Sequence, residues 1–249
     1  MKNDTTVDPR EVEYYTRMAA TWWDREGPFW PLHKLNELRQ AYIRDHLCEH
    51  FGLDGAADRP LRGLKILDVG CGGGILAESM AQLGAAVTGI DIVEKNINVA
   101  RLHAEEQGLS VDYRLSTAAE LAGTGARFDV VLNMEVVEHV ADLDAFMHDC
   151  ILLTGEGGVT FVATINRTPL AWLFAIVGAE YIFGLLPRGT HRWRLFRKPR
   201  EIAALLQRGG LSVQDITGVA VNPFARTLRQ TALTQVNYMM FCTRSAGVA

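Results

Sequence analysis

From Leu64 onward, short apolar runs alternate with longer segments in which apolar residues recur every three or four positions. The short runs predict strands at Lys65–Val69, Ala86–Ile90, Val111–Arg114, Phe128–Asn133 and Val159–Thr164. The segments between them predict helices at Ile75–Leu83, Glu94–Gln107, Ala118–Ala122 and Leu143–Leu153, with Gly84 and Gly108 where helix C-caps belong. A later helix, Pro199–Gln207, begins with Pro, Arg and Glu and stops at Gly209 and Gly210. Two strand-like runs follow, Leu211–Ile216 and Val236–Thr243, the second expected as an antiparallel edge strand. Alternation of this kind predicts an α/β fold: a doubly wound, seven-stranded, mostly parallel sheet with an antiparallel last strand. No internal repeat or low-complexity linker interrupts it.

Two regions depart from the alternation and suggest a helical extension at 1–63, a main domain at 64–249 and an insert at 167–200. Pro9–Phe51 reads as helical and carries Trp22, Trp23, Phe29 and Trp30, dense enough to form a packing face or a lid over a site. His33 and Arg39 in this segment could face inward. The insert is nearly all apolar from Pro169 to Leu186 and strongly basic from Pro187 to Arg200. Across 167–200, seven Lys/Arg face the single acid Glu180. The apolar run falls short of the roughly 20 residues that span a bilayer. It suits contact with anionic membrane lipids through 169–200, a lid over an apolar substrate, or a dimer contact.

The run Leu64-Lys-Ile-Leu-Asp-Val-Gly-Cys-Gly-Gly-Gly-Ile75 joins a buried strand to a helix start through Asp68, Gly70, Gly72 and Gly74, in the pattern D-x-G-x-G-x-G. Side chains at Gly70 and Gly72 would block backbone approach to a ligand. Asp91, closing the next strand, can accept two hydrogen bonds from a ribose diol. The spacing differs from G-x-G-x-x-G, which turns a helix N-terminus toward a pyrophosphate. A nucleoside ligand without phosphates is expected, and S-adenosylmethionine (SAM) fits.

The fourth strand and its exit read Phe128-Asp-Val-Val-Leu-Asn-Met-Glu-Val-Val-Glu-His139. Its end should face the transferred group, which brings Asn133 and Met134 near the cofactor; Met134 suits a purine face or the core. Glu135, Glu138 and His139 are expected on a following helix, with Glu135 and His139 on one face. Two carboxylates and an imidazole could hold a hard cation. Alternatively, His139 is a catalytic base that takes a phenolic proton, or the acids simply favour a helix start. Methyl transfer from a sulfonium asks an enzyme for alignment, exclusion of water and deprotonation of the acceptor.

With 48% hydrophobic residues, a 249-residue chain can bury a full core. A net charge of −4 argues against a whole-surface nucleic-acid binder, so no nucleic-acid partner is expected. Cys48, Cys71, Cys150 and Cys242 lie far apart, without the spacing of a metal ribbon or a disulfide frame. Free thiols and a polar N-terminus point to a reducing cytoplasm.

The chain also resembles a known family. The carriers are Trp22-Trp-Asp24, Pro31-Leu-His33 with Asn36 and Arg39, Leu67–Ser79, Asn133–Val140, Val177-Gly-Ala-Glu-Tyr-Ile182, Gly189-Thr-His191 and Val236-Asn-Tyr238. Together they are similar to the ubiquinone-biosynthesis O-methyltransferases, class I SAM-dependent enzymes of Rossmann-like fold, over nearly the whole chain. The likeness implies O-methylation of polyprenylated catechol-type phenols at two pathway steps (2-polyprenyl-6-hydroxyphenol and 3-demethylubiquinol). It implies peripheral association with the inner membrane and company with other ubiquinone-biosynthesis enzymes. Arg39, Gly70, Asp91 and Met134 match SAM contacts, joined by Gly72 from the turn itself. Glu135, Glu138 and His139 match residues through which mitochondrial relatives are described as magnesium-dependent. Arg192 stands where the family is expected to carry an acid. A methyltransferase of a soluble phenol, with the insert as a dimer contact, and a non-catalytic SAM- or lipid-binding module are the other readings.

Overall fold

The computed structural model of the chain describes residues 13, 21–27, 29–173, 193–222 and 227–245. Helix α1 (Trp30–Phe51) opens with Pro31 in its first turn and ends at Gly52, whose φ of 64° closes the helix as only glycine does cheaply. It lays Tyr42, Ile43 and Leu47 into the core, so this part of the extension is packing surface. Thr21–Gly27 forms turns ahead of α1, not the helix expected there, and Glu13 apart, 1–20 lie outside the described residues.

The alternating unit follows as read: β1 (Lys65–Val69), α2 (Ile75–Gln82), β2 (Ala86–Asp91), α3 (Glu94–Glu106), β3 (Val111–Leu115), α4 (Ala118–Gly123), β4 (Phe128–Met134), α5 (Leu143–Leu153) and β5 (Thr154–Ile165). Thr117 and Glu120 cap α4 reciprocally, and the Asp142 side chain accepts from the Ala145 amide to start α5. After 174–192, which lie outside the described residues, come a single 3₁₀ turn (Trp193–Leu195), α6 (Pro199–Arg208), β6 (Leu211–Asn222), β7 (Thr227–Thr231) and β8 (Asn237–Arg244).

The sheet has eight strands in the order β3-β2-β1-β4-β5-β8-β6-β7. The last strand is antiparallel to β5, as expected, but it is no edge strand: it lies between β5 and β6. The additional strand β7 pairs antiparallel with β6 and forms the true edge. One apolar layer packs α1, α2 and α3 on one face of the sheet; the other packs α4, α5 and α6 on the opposite face. Both faces being covered explains why β1 and β4 are buried along nearly their whole length, with side chains of both faces out of solvent. The strand order reverses at β1 and β4, where the carboxyl ends of two parallel strands part and leave a crevice. No helix among the described residues is long and apolar enough to cross a membrane.

Candidate active site

The glycine turn stands at this switch point. Gly70 and Gly72 adopt φ of 68° and 54°, and the Cys71 amide donates to the Ile90 carbonyl at 3.0 Å, tying the turn to β2. The glycines leave room for the protein's own side chains. A Cβ on Gly70 would come within 2.6 Å of Val136, and one on Gly72 within 2.6 Å of the Trp22 ring. Trp22 also covers Gly73, and the Tyr113 hydroxyl covers Gly74.

Asp91 ends β2 beneath this turn, 8% exposed. Its Oδ2 accepts from the Gly72 amide at 3.0 Å; its Oδ1 accepts from the Val93 amide at 2.8 Å and from the Asn96 side chain at 3.3 Å. Burial raises its proton affinity, and these donors oppose that shift. A sugar diol arriving here would share acceptor positions with donors already fixed around the carboxylate. The sequence pattern marks the acid but not this preorganisation.

The aromatic segment before α1 clasps the turn. Trp22 stacks on Phe29 with ring centroids 3.9 Å apart and donates its Nε1–H to Asn96 Oδ1 at 2.8 Å. Trp23 donates its Nε1–H to the Gly73 carbonyl at 2.8 Å and stacks on His103 at 3.4 Å. His103 Nδ1 lies 2.9 Å from both oxygens of buried Glu78. His33 meets the Trp22 carbonyl at 2.9 Å, so it serves the clasp and not the crevice. The Asn36 amide donates to Ser79 Oγ at 2.7 Å, fastening α1 to α2.

Arg39 is buried and paired through its Nη2 with Glu135 Oε1, while its Nε has no hydrogen-bond partner. Close by, Asp68 leaves Oδ2 unpartnered. Burial pushes Asp68 up to about 7, against the pull of the Arg39 guanidinium and helped by the Asp91 charge. A buried cation and a buried acid with orphaned polar atoms, beside Asp91, fit the carboxylate and ammonium of an amino-acid tail joined to a nucleoside. By this test the residues present fit SAM.

The exit of β4 corrects an expectation. Glu135–His139 is a turn, not a helix, and Glu135 is the one non-glycine residue with positive φ among the described residues, at 61°. The helical argument that put Glu135 and His139 on one face therefore lapses. Glu138 is buried and accepts from Thr164 Oγ1 at 2.7 Å. Burial first, then the neighbouring Glu135, pushes its carboxyl up to about 8. With Glu135 paired to Arg39 and Glu138 engaged by the Thr164 hydroxyl, these residues as arranged do not fit a divalent cation. Among the described residues no group of three or more His, Cys, Asp or Glu side chains could hold a metal ion. His139 is half-buried beside Glu138.

Met134, at 8% exposure, belongs to the core layer under α1 and α2, and Asn133 is fully buried with its Nδ2 3.8 Å from the sulfurs of Met147 and Cys150. Asn96 and Thr164 did not stand out in the sequence, and Asp68 was read only as the first residue of the glycine motif. A signal existed for Asn96: it shares a helix stripe with Ala100 and Ala104, where an apolar residue is the default.

The methyltransferase-domain family matches residues 67–162. The chain is 51% identical over 242 residues to the ubiquinone biosynthesis O-methyltransferase of Brucella anthropi, covering 97% of this chain and 98% of that one. It is 50% identical over 241 residues to that of Parvibaculum lavamentivorans, covering 97% and 95%. Among solved structures, magnesium protoporphyrin IX methyltransferase from Synechocystis with bound SAH superposes with a TM-score of 0.67 at 21% identity, covering 96% of this chain and all of the other. A Burkholderia thailandensis 1,6-didemethyltoxoflavin-N1-methyltransferase superposes at 0.60 with 17% identity, covering 96% and 91%. Likeness at those identities concerns the fold.

Proposed function

The chain belongs to the ubiquinone biosynthesis O-methyltransferase family, and from that premise we propose that it methylates catechol-type hydroxyls of polyprenylated quinone precursors. The activity is SAM-dependent O-methylation; the acceptors we assign are 2-polyprenyl-6-hydroxyphenol and 3-demethylubiquinol. The observation that carries the reading is the pair of orphaned buried atoms, Arg39 Nε and Asp68 Oδ2, set beside Asp91 at the switch point.

SAM, when bound, supplies the methyl group. The protein's residues do the rest. Asp91 and the Gly70–Gly72 backbone hold the nucleoside; Arg39 holds the carboxylate of its tail; Met134 backs the crevice from β4. His139 takes the proton of the acceptor hydroxyl. No step runs through magnesium.

Supporting a peripheral membrane position, Leu170, Trp172 and Leu173 stand 37%, 45% and 48% exposed where the insert begins. Arg194 is exposed where the described chain resumes. Such a position places the enzyme on the cytoplasmic face of the inner membrane, beside a lipid-tailed substrate and the enzymes that pass it on.

The test is an assay with methyl-labelled SAM and a demethylated quinol analogue, run with EDTA and with added magnesium. Label on the quinol oxygen is the expected result, and none on oxygen ends the reading. Turnover lost in EDTA and restored by magnesium would overturn the statement that no step runs through the metal. Co-sedimentation with anionic vesicles checks the membrane position; no binding, with water-soluble catechols turned over well, would place the substrate in solution.

A further inference from the structure

We infer that Trp22 and Asn96 are positioning residues for Asp91, a buried relay through which the segment before α1 sets the enzyme's affinity for its cofactor. The inference rests on the reading that Asp91 receives the ribose. The relay has three members and two bonds: Trp22 Nε1 to Asn96 Oδ1 at 2.8 Å, then Asn96 Nδ2 to Asp91 Oδ1 at 3.3 Å.

Its direction is forced by chemistry. An indole N–H only donates and an ionised carboxylate only accepts, so the amide between them can face only one way. All three side chains are buried, Trp22 at 8%, Asn96 at 1% and Asp91 at 8% exposure. At that depth a donor that turned away would lose its partner without gaining water. The amide thus fixes the rotation of the Asp91 carboxylate, together with the Gly72 and Val93 amides.

Trp22 is itself held from three sides. Phe29 stacks on its ring, His33 meets its carbonyl at 2.9 Å, and the ring lies on Gly72 and Gly73. Trp23 pins the same segment to the Gly73 carbonyl. The two neighbouring indoles therefore bridge the start of α3 and the glycine turn, the two sides between which the nucleoside would lie. By reciprocity, whatever cofactor affinity the segment confers, cofactor binding returns as order in the segment.

The test titrates the full-length protein with S-adenosylhomocysteine by calorimetry. Trp22→Phe keeps an aromatic ring to stack on Phe29 and removes the donor; Asn96→Ala removes the link. Each is expected to weaken binding about tenfold, as loss of a bond serving a charged group does, and the double variant should be no weaker than either single one. The loss should fall on the KM for SAM and not on kcat. Hydrogen exchange adds a readout that packing alone would not move: the ligand should slow exchange in the peptide carrying Trp22 in the parent protein and not in Asn96→Ala.

Full affinity in Trp22→Phe, or additive losses in the double variant, overturns the relay. Asp91→Asn separates the two ideas. If it binds normally, the ribose reading fails; if it binds weakly while Trp22→Phe and Asn96→Ala bind normally, the relay alone fails. Should Asn96→Ala not fold, Trp22→Phe decides.

Discussion

The glycine turn with its clasp and the turn that leaves β4 face each other across one crevice, yet they are built on opposite plans. Around Asp91 the polar atoms of Trp22, Trp23, Asn96 and Gly72 are paired within the protein. Across the crevice, Glu135 holds a φ of 61°, a conformation that costs a non-glycine residue about 1–3 kcal/mol. Beside it, Arg39 Nε and Asp68 Oδ2 lack partners, and Glu138 is driven toward its neutral form. The grip on the nucleoside is finished before any ligand arrives. At the reacting end, strain and unpaired polarity remain, and a charged ligand has most to gain there.

Four measurements put this contrast to the test. The largest effect is expected for Asp91→Ala. Losing a carboxylate that bonds a diol should cost about 2–4 kcal/mol of SAM affinity by calorimetry, since a hydrogen bond to a charged group contributes roughly 1.5–3. Unchanged affinity would move the nucleoside elsewhere. Next comes Gly72→Ala, which forces a side chain into left-handed backbone at about 1–2 kcal/mol and drives a methyl toward the Trp22 ring. Its urea midpoint should fall, and a midpoint equal to the parent's would show a turn softer than described.

Trp23→Phe is a smaller test. It keeps the stack on His103 and drops one bond to the Gly73 carbonyl, for about 1 kcal/mol of stability.

Last is Glu138→Gln, whose signature is a changed pH dependence of stability. Because the folded carboxyl lies near 8, above its ordinary value, the folded state binds the proton more tightly than the unfolded chain. The stability this contributes is present in acid and is lost as pH rises from about 4.5 through 8. Melting temperatures followed across that window should decline less steeply in the variant; parallel curves would show that Glu138 is ionised throughout.

The same contrast explains what the sequence could disclose. The glycine turn and Asp91 are local: a strand, three glycines and an acid fall within one βαβ unit, and backbone geometry dictates them. The β4 exit is not local. Glu135 is placed by Arg39, 96 residues away in the chain, and acids that read as a helix start belong to a turn, while α5 waits for its true cap at Asp142. In the sheet, strands with dense apolar runs were found to within a residue or two, but β6 runs on to Asn222, six residues past its expected end at Ile216. β7 was missed because Thr-Leu-Arg-Gln-Thr is short and polar, as suits an edge. β5 begins five residues before its expected start because Gly155 to Gly158 reads as a turn, although this stretch continues the strand. The relay through Asn96 needed tertiary structure, since nothing in the chain announces that Trp22 lies above α3.

The position of β8 bears on how the molecule is made. β6 and β7 reach the parallel half only through β8, which follows them both in the chain. Until it emerges, β5 leaves the edge from Val159 to Ile165 open to any passing strand, and α6 with the β6–β7 hairpin has no sheet to join. Synthesis therefore holds open a window in which chaperone shielding matters most, and the emergence of β8 closes it.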